Sequence, residues 1–309
     1  MKIFILTEGG RRIGFGHVTR CIAICEAFEE RNIYPLLVIN GDDSIFSLTK
    51  GRNCKLFDWI ENKEKLFSEI KDTDFIIIDS YLADKNLFYK ISNLLDSKVL
   101  IVDDHNRIDY PKGIVVNPSI YGDKLNYIKK KDTIYLLGKN YIILRKEFWD
   151  VPEKKINKKV GNILITLGGI NRENFTKMIA NFLKNNFNIR TYIVSKDNPI
   201  RAKEMLSLML KADICISGGG QTTYELAMVG VPAIGICFAE NQHKNLLNWE
   251  KIGFLKNAGW FSNNELLIKI KEKFNELDYN SRLQMSIIGK KYIDGDGARR
   301  IFKEVLKRI

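Results

Sequence analysis

The sequence has no apolar run of the roughly 20 residues that a membrane-spanning helix needs. Its first apolar run, residues 2–6, is too short for the core of a signal peptide and is soon followed by Glu8. We therefore expect a cytoplasmic protein without stable membrane insertion. The five cysteines include no C-x-x-C pair, and their dispersed positions predict reduced thiols in the core.

A complete metal site and a nucleic-acid-binding motif are also missing. Asp103, Asp104 and His105 are ligand types, but adjacent residues rarely chelate one ion, and no second cluster at ligand spacing accompanies them. We expect instead a turn that positions substrate hydroxyls. The net charge of +12 is spread along the chain, which predicts a lysine-rich surface and no nucleic-acid partner. Attraction of an anionic substrate or contact with a membrane both stay open.

Apolar runs of strand length alternate with helical patterns along the chain. In the first half we predict strands at 2–6, 36–39, 75–79, 99–102 and 114–116 and helices at 17–30, 62–71 and 84–95. In the second half we predict strands at 162–167, 189–194, 212–217 and 232–236 and helices at 201–210 and 221–229. Continuous apolar strands that alternate with helices are typical of parallel sheets covered on both faces.

The polar, lysine-rich stretch 151–160 interrupts this alternation and predicts a linker. We therefore predict two doubly wound α/β domains, at 1–150 and 161–309, with a cleft between the facing carboxyl ends of their strands. Ligands of such sheets bind beyond those ends. Polar residues that follow predicted strands, such as Asn117, are thus candidates for substrate binding.

The stretch from Gly14 to Arg20 places two glycines and a histidine where the first predicted strand gives way to a helix. Backbone N–H groups at a helix N-terminus favour anions, and glycines let a ligand approach the main chain. A dinucleotide fingerprint needs a third glycine where this chain has Thr19, and we predict no cofactor. His17 alone is explained equally well as a hydrogen-bonded residue at the helix end and as an acid–base catalyst.

A second glycine turn follows a predicted strand in the other half of the chain. It consists of Ser217, Gly218, Gly219 and Gly220 and leads into a helix, so successive backbone N–H groups there predict phosphate binding. Glu225 lies one turn into that helix, where contact with a nucleotide's ribose and simple exposure to solvent explain it equally well. Residues that could close over the same ligand follow the next strand, namely Glu240, Asn241 and Gln242.

Taken as a set, the motifs of this chain resemble the UDP-sugar hydrolases of pseudaminic acid biosynthesis, called PseG, which are relatives of the peptidoglycan glycosyltransferase MurG. The motifs occur in the same order over most of the chain. They are IGFGH at 13–17 with Arg20 and Cys21, IDSY at 78–81, VDD at 102–104, GKNYIILRKEF at 138–148, LITLGG at 164–169, SGGGQTTYE at 217–225 and AENQ at 239–242. The resemblance implies the GT-B fold, with two Rossmann-like domains.

The resemblance also implies a reaction, the hydrolysis of UDP-2,4-diacetamido-2,4,6-trideoxy-β-L-altropyranose to UDP and the free sugar without a metal. By matching position, His17 would be the base that activates water, and Tyr81 would help to hold that water. We expect the dipole of the helix that begins near His17 to lower its pKa and keep it neutral. The implied substrate-binding residues are Gly14, Phe15, Gly16, Arg20, Asp103, Asp104, Gly168, Gly169, Ser217, Gly218, Gly219, Gly220, Glu225, Glu240, Asn241 and Gln242.

Two departures from the family pattern bear on the substrate. The family usually has Arg-x-Asp at the end of its first strand, whereas this chain has Leu6, Thr7 and Glu8. Only about seventeen residues separate Ser195 from Ala212, which predicts a C-terminal domain shortened by about one strand–helix unit. The alternatives to a hydrolase are a GT-B glycosyltransferase that uses a UDP-sugar donor and a non-catalytic nucleotide-sugar-binding protein. The sequence leaves the stereochemistry of the sugar and the oligomeric state open.

Overall fold

The computed structural model describes residues 1–49, 51–168, 173–195 and 200–309, and the chain forms two compact units. The first unit contains Met1–Lys146 and Asp296–Ile309, and the second contains Glu147–Gly295. Each has a parallel sheet with helices, as the alternation of apolar strands and helical patterns predicts. No helix within the described ranges is long and apolar enough to cross a membrane.

The described part of the first unit contains seven parallel strands. They are β1 (Ile3–Gly9), β2 (Leu36–Gly41), β3 (Cys54–Leu56), β4 (Phe75–Asp79), β5 (Val99–Val102), β6 (Gly113–Asn117) and β7 (Thr133–Leu137). The helices that follow these strands are α1 (Gly16–Glu29), α2 (Phe46–Thr49), α3 (Lys63–Ile70) and α4 (Lys85–Leu94). The spatial order is β3-β2-β1-β4-β5-β6-β7. Because this order reverses between β1 and β4, the carboxyl ends of these two strands are the expected ligand site.

The paired residues of the central strands β1 and β4 are buried, whether they are apolar or polar. β1 pairs with β4 so that Leu6 lies opposite Ile78 and Thr7 opposite Asp79, and all four residues are fully buried. Such continuous burial is what the apolar runs predict for a sheet covered on both faces. The pairing also brings Glu8, the next residue of β1, to the sheet edge at which β4 ends.

The last helix of the chain, α11 (Gly297–Leu306), packs against α1 in the first unit. Its buried stripe consists of Ala298, Ile301, Phe302 and Val305. The ring of Phe302 meets that of Phe28 edge-on, with 4.9 Å between centroids, and Arg299 Nε donates to Glu30 Oε2 at 3.0 Å. We predicted a C-terminal domain over 161–309. The structure places 296–309 in the first unit instead, because the apolar stripe of α11 is buried there.

Among its described residues, the second unit has five strands, β8 (Asn162–Thr166), β9 (Arg190–Val194), β10 (Ile214–Gly218), β11 (Ala233–Cys237) and β12 (Leu255–Trp260). Its helices are α5 (Glu173–Asn186), α6 (Ala202–Lys211), α7 (Thr222–Val229), α8 (Glu240–Ile252), α9 (Leu266–Asn275) and α10 (Tyr279–Tyr292). The strands are parallel in the order β12-β11-β10-β8-β9, which reverses between β8 and β10. The described residues between β9 and β10 contain one helix, α6, and no strand.

The segment 151–160, predicted as a linker, is held against the second unit. Lys154 is buried, and its Nζ donates to the carbonyl oxygens of Leu210 at 2.9 Å and Ala212 at 2.5 Å. Asn157 Nδ2 donates to Asp213 Oδ1 at 2.8 Å. Burial lowers the pKa of Lys154 to about 8, because desolvation disfavours the ammonium ion. This lysine-rich stretch thus serves to cap the end of α6.

Candidate active site

Charged side chains of the first unit gather where β1, β4 and α1 meet. Glu8 lies near the end of β1, and Asp79 ends β4. His17 and Arg20 lie near the start of α1, three residues apart, so that the two side chains share one face of the helix. These four residues therefore meet at the point where the strand order reverses, as expected for a ligand site.

His17 is oriented by a buried carboxylate. Its Nδ1 lies 2.8 Å from Oδ1 of Asp79, which is fully buried. Because a carboxylate can only accept a hydrogen bond, the contact assigns the ring proton to Nδ1 and leaves the lone pair on Nε2. The His17 side chain remains 14% exposed, so solvent reaches the ring. A base whose second nitrogen is fixed in this way is suited to taking a proton from a nucleophile.

The pKa of His17 is raised from its ordinary value of 6.5. Burial disfavours the charged ring, but the charge and the hydrogen bond of Asp79 outweigh burial. The prediction that the helix dipole lowers this pKa is therefore wrong, because a full charge at 2.8 Å acts more strongly than a helix terminus. Burial likewise opposes the charged form of Asp79, yet Arg20 and His17 hold the pKa of that carboxyl well below its usual range.

Arg20 joins two carboxylates in this cluster. Its Nε and Nη2 donate to the two oxygens of Asp79, both at 2.7 Å. Its Nη1 donates to both oxygens of Asp104, at 2.8 and 2.9 Å. The Arg20 side chain is 11% exposed, so these are charge-assisted hydrogen bonds in a largely buried setting. Arg20 thus aligns the carboxylate that orients His17, and its predicted role in substrate binding stays a prediction.

Tyr81 packs its ring edge-on against His17, with 4.5 Å between ring centroids. Its hydroxyl donates to Asp104 Oδ2 at 2.6 Å. Burial and the neighbouring Asp104 raise the pKa of Tyr81, so the hydroxyl keeps its proton. The Arg107 guanidinium lies over the Tyr81 ring, 4.8 Å from the ring centre, in a cation–π contact. Because its one proton is committed to Asp104, the hydroxyl offers only lone pairs to a further group.

Glu8 also belongs to this cluster. In the sequence it stood out only as a departure from the Arg-x-Asp pattern of the family. Its side chain is 2% exposed, and Oε1 lies 4.0 Å from His17 Nε2. The backbone N–H of Tyr81 donates to Oε1 at 2.8 Å, and the hydroxyl of Ser80 donates to Oε2. Asp79 is another residue of the cluster that was not predicted to have a role in the site. The signals for it were its place at the end of a predicted strand and within the motif IDSY at 78–81.

Asp103 and Asn117 lie deeper than Asp104. Both are fully buried. Asp103 Oδ2 accepts from the Tyr127 hydroxyl at 2.8 Å, and Asn117 Nδ2 donates to the same hydroxyl at 2.9 Å. Asn117 Oδ1 accepts from the backbone N–H of Ser119 at 3.1 Å. The structure therefore gives both side chains partners inside the first unit, and their predicted contact with substrate stays a prediction.

The glycine turn before α1 is closed by two backbone hydrogen bonds between Gly10 and Gly14, at 2.9 and 2.8 Å. Gly14 has φ +95°, a conformation that favours glycine. Phe15 is the residue before α1, and Gly16 begins that helix. Among the described residues, no atom lies within 4 Å of a Cβ built on Gly14 or Gly16. The main chain at both glycines is thus open to a ligand.

The second glycine turn lies between β10 and α7. At its middle glycine, Gly219, side chains of α8 occupy the space that a Cβ would need. A Cβ on Gly219 would lie 2.7 Å from Cγ of Leu246 and 2.9 Å from Cβ of Gln242. Gly219 N–H donates to Gln242 Oε1 at 3.2 Å, and Asn245 Nδ2 donates to the Gly219 carbonyl at 2.8 Å. A Cβ on Gly220 meets no described atom within 4 Å. Gly219 is therefore required for contact with α8, whereas Gly220 faces open space.

Ser217 and Gly218 end β10, and the Ser217 hydroxyl donates to the Gly218 carbonyl at 2.9 Å. A Cβ on Gly218 would lie 3.0 Å from the carbonyl oxygen of Leu167, so close approach to the neighbouring strand's end explains this glycine. Glu225 lies within α7 and is only 2% exposed. The alternative that Glu225 is a solvated helix residue is therefore wrong.

The remaining predicted residues of the second unit lie near the same strand ends. Gly168 follows β8 with φ +87° and is exposed. Glu240 and Asn241 are exposed on the first turn of α8. Gly169 lies outside the described residues. The described residues contain no group of three or more His, Cys, Asp or Glu side chains that could hold a metal ion.

No model of a known protein family matches the sequence. The chain is 28% identical over 274 residues to a Helicobacter pylori protein named pseudaminic acid cytidylyltransferase and UDP-2,4-diacetamido-2,4,6-trideoxy-beta-L-altropyranose hydrolase. This match covers 83% of the chain and 48% of that protein. A Methanocaldococcus jannaschii protein matches at 26% identity with 55% of its length covered, so the chain spans about half the length of these two relatives. The spore coat polysaccharide biosynthesis protein SpsG of Bacillus subtilis is 24% identical over 97% of the chain and 96% of that protein.

Solved structures share the fold over nearly the whole chain. Acinetobacter baumannii MurG superposes with a TM-score of 0.72 at 14% identity, covering 99% of this chain and 100% of that one. S. aureus MnaA, solved with UDP, superposes with a TM-score of 0.64 at 15% identity, covering 100% and 98%. Identities this low establish the fold alone. The predicted resemblance is confirmed: the chain is an α/β protein of the GT-B type, like MurG in fold and similar in sequence to a protein whose name includes a UDP-2,4-diacetamido-2,4,6-trideoxy-beta-L-altropyranose hydrolase.

Proposed function

We propose that this protein is an enzyme that acts on a UDP-linked sugar, and that it hydrolyses a UDP-linked 2,4-diacetamido-2,4,6-trideoxyhexose to UDP and the free sugar for nonulosonic acid biosynthesis. The observation that carries the proposal is His17, whose Nδ1 contacts the buried Asp79 at 2.8 Å and whose Nε2 is left as a base. The likeness to the Helicobacter pylori protein, whose name includes this hydrolase, supports the substrate class.

In the proposed reaction, Nε2 of His17 takes a proton from water while the water oxygen bonds to the anomeric carbon. The bond from that carbon to the diphosphate oxygen breaks, and its electron pair leaves with UDP. Asp79 stabilises the imidazolium that forms, through the hydrogen bond to Nδ1. A base in this role contributes on the order of a hundred- to ten-thousandfold to the rate. UDP is stable as an anion, so its departure needs little protonation.

The second unit supports a separate part of the proposal, which is binding of the diphosphate. The turn from Ser217 to Gly220 lies at the end of β10, where the strand order reverses, and it leads into α7. Strand ends at such a reversal and the N–H groups at helix starts favour phosphate. The open space beside Gly220 leaves room for a ligand there. We propose that this turn binds the diphosphate and that Glu225 contributes to nucleoside binding.

The test is release of UDP from UDP-linked sugars of the altrose and bacillosamine types, with EDTA present and with and without candidate acceptors. We expect release without an acceptor. His17→Gln is expected to lower kcat by about a hundred- to ten-thousandfold. His105→Gln, which changes the other histidine of the first unit, is expected to lose far less.

Two results would contradict the hydrolase. Release of UDP only in the presence of an acceptor would make the protein a transferase, in which His17 deprotonates an acceptor hydroxyl. Tight binding of the UDP-sugars without turnover would make it a nucleotide-sugar-binding protein. Release that stops in EDTA and returns with a divalent cation would contradict the metal-independent reaction.

A further inference from the structure

Glu8 is a buried carboxylate whose position is fixed by the turn after β4. The Ser80 hydroxyl and the Tyr81 N–H donate to its two oxygens, and the N–H of Leu82 donates to Oε2 at 3.3 Å. A carboxylate has about four lone-pair sites, so Oε1 retains one after accepting from Tyr81. That oxygen lies 4.0 Å from His17 Nε2, the nitrogen assigned above as the base.

We propose that Glu8 is a catalytic residue that, together with His17, holds the attacking water. The water donates one hydrogen bond to His17 Nε2 and the other to Glu8 Oε1, and its lone pairs are left to face the sugar. This assignment rests on the proposed hydrolysis. It gives a role in the chemistry to the residue at which this chain departs from the family pattern.

The geometry fits one water molecule. Hydrogen bonds of about 2.8 Å from one oxygen to two atoms 4.0 Å apart make an angle of roughly 90° at that oxygen, which is near the angle between the two O–H bonds of water. Both atoms are acceptors, so both water protons are used and the oxygen's electron pairs point away from these two atoms.

Tyr81 is less suited to holding the water than the resemblance implies. Its proton is donated to Asp104 Oδ2 at 2.6 Å. The Tyr81 hydroxyl could therefore only accept from the water, whose two protons are already taken by His17 and Glu8. In this arrangement Tyr81 is a positioning residue. Its ring braces His17, and its backbone N–H fixes Glu8.

The proton balance follows from the two contacts. As the water oxygen bonds to the anomeric carbon, its proton on the His17 side moves to Nε2, and the bond to the UDP oxygen breaks with its electron pair. The proton on the Glu8 side stays on oxygen as the hydroxyl of the free sugar. Glu8 exchanges no proton in this step, and its carboxylate stabilises both the imidazolium and the positive charge that builds up on the sugar.

The test uses Glu8→Gln in the full chain, with kcat, KM and the pKa of His17 followed by NMR titration of its ring. We expect kcat to fall about ten- to a hundredfold with little change in KM, the range for losing one charge-assisted hydrogen bond. We also expect the pKa of His17 to fall, because a negative charge near Nε2 is removed. Glu29→Gln is the matched control, since it neutralises a carboxylate of the same unit that pairs instead with Arg52.

A wild-type kcat in Glu8→Gln overturns the proposal, and so does a loss of kcat with an unchanged pKa of His17, which would make Glu8 a brace for the turn. If the wild-type protein releases no UDP from any sugar, the proposed hydrolysis fails instead. The NMR titration still tests whether Glu8 lies close enough to Nε2 to raise the pKa of His17. Should Glu8→Gln fail to fold, Glu8→Asp retains the charge at a shorter reach. We then expect a smaller loss of kcat, and wild-type kcat in that variant overturns the water-holding role.

Discussion

The two glycine turns of this chain look alike in sequence but differ in what surrounds them. Each follows a strand at the reversal of its sheet and leads into a helix. The turn before α1 lies beside two acidic side chains, with Asp79 on one nitrogen of His17 and Glu8 near the other. The turn before α7 is held by neutral amides, Gln242 and Asn245. The first environment is suited to proton transfer. In the second, the groups proposed to bind the ligand are backbone N–H groups.

This difference shows that glycine-rich turns of similar appearance have different physical causes. Gly14 is required by its positive φ, whereas Gly219 is required by its contact with α8. Gly16 and Gly220 have open space for a side chain, so neither packing nor backbone strain explains them. This open space agrees with the proposal that a ligand approaches the main chain at these two positions. The contrast can be tested by substitutions that act on side chains in one unit and on the backbone in the other.

The largest effect is expected from Asp79→Asn, which removes the carboxylate that orients His17. We expect kcat to fall by about a hundred- to ten-thousandfold, because the amide no longer fixes the ring proton on Nδ1 or stabilises the imidazolium. Arg20 is left with one carboxylate in a buried site, so we also expect the melting temperature to fall. Steady-state kinetics and thermal denaturation measure the two effects.

The control for this variant is Asp72→Asn, which changes an exposed aspartate of the same unit and is expected to leave both quantities unchanged. An Asp79→Asn protein with wild-type kcat would show that His17 needs no carboxylate. The first glycine turn would then be no better suited to proton transfer than the second.

In the second unit the sharpest pair is Gly219→Ala against Gly220→Ala. A methyl group at 219 meets Leu246 and Gln242 at under 3 Å, and such overpacking costs about 1–3 kcal/mol. The same methyl at 220 meets no described atom within 4 Å, so its cost in stability is expected to be below about 1 kcal/mol. Urea denaturation compares the two, and equal losses would refute the assignment of Gly219 to packing.

Gly220→Ala is expected to weaken UDP binding more than it weakens the fold, because the methyl group enters the space assigned to the diphosphate. Isothermal titration calorimetry with UDP measures this effect. Unchanged affinity in a folded Gly220→Ala protein would remove the support for phosphate binding at this turn.

Much of the fold could be predicted because its central strands are continuous apolar runs. Two of the strands that were not predicted carry weak signals. β3 is three residues long and half-buried, and β12 carries the polar sequence LKNAGW. β7 was not predicted either, although its sequence TIYLL is largely apolar. The place of α11 also escaped prediction, since the sequence marks its apolar stripe but not the partner, Phe28 of α1, that lies far away along the chain.

The candidate site was predictable in part for the same reason. His17 and Tyr81 lie in short motifs, and histidine and tyrosine are residue types that often take part in catalysis. Asp79 contacts His17 across 62 residues of sequence, and Ser80 and Tyr81, which follow β4, hold the carboxylate of Glu8. Since these contacts arise from the sheet, the net rise in the pKa of His17 could not be predicted from the helix around it.

Glu225→Gln sharpens the comparison on the second unit, where a single charged residue is assigned to nucleoside binding. We expect UDP to bind about tenfold more weakly, because one hydrogen bond to the carboxylate of Glu225 is lost, with kcat little changed. Glu272→Gln on α9 is the control, because that glutamate is exposed in the same unit. Calorimetry with UDP decides the point, and equal affinity in the two variants would place the nucleoside elsewhere.

The smallest expected effect is the pH dependence of kcat and KM. It distinguishes the first turn, where His17 titrates, from the second, where backbone donors are assigned to the ligand. Because the pKa of His17 is raised above 6.5, kcat of the wild-type protein is expected to fall as pH drops through that raised value. KM is expected to change little, since a sugar-linked diphosphate keeps its charge over this range and the second turn is assigned backbone donors. A kcat that is flat from about pH 6 to about pH 9 would contradict His17 as the base.

Stability linked to His17 runs the other way with pH. A folded pKa above the unfolded value means that protonation of His17 stabilises the fold fully below about pH 6.5, and that this contribution is lost as pH rises through the folded value. The melting temperature of the wild-type protein should therefore exceed that of His17→Gln by more at about pH 6 than at about pH 9. Activity needs the neutral His17 ring, whereas the folded state is stabilised more by the protonated ring. A difference in melting temperature that stays constant with pH would show that Asp79 and Glu8 do not favour the imidazolium, and the first turn would then lose the electrostatic feature that distinguishes it from the second.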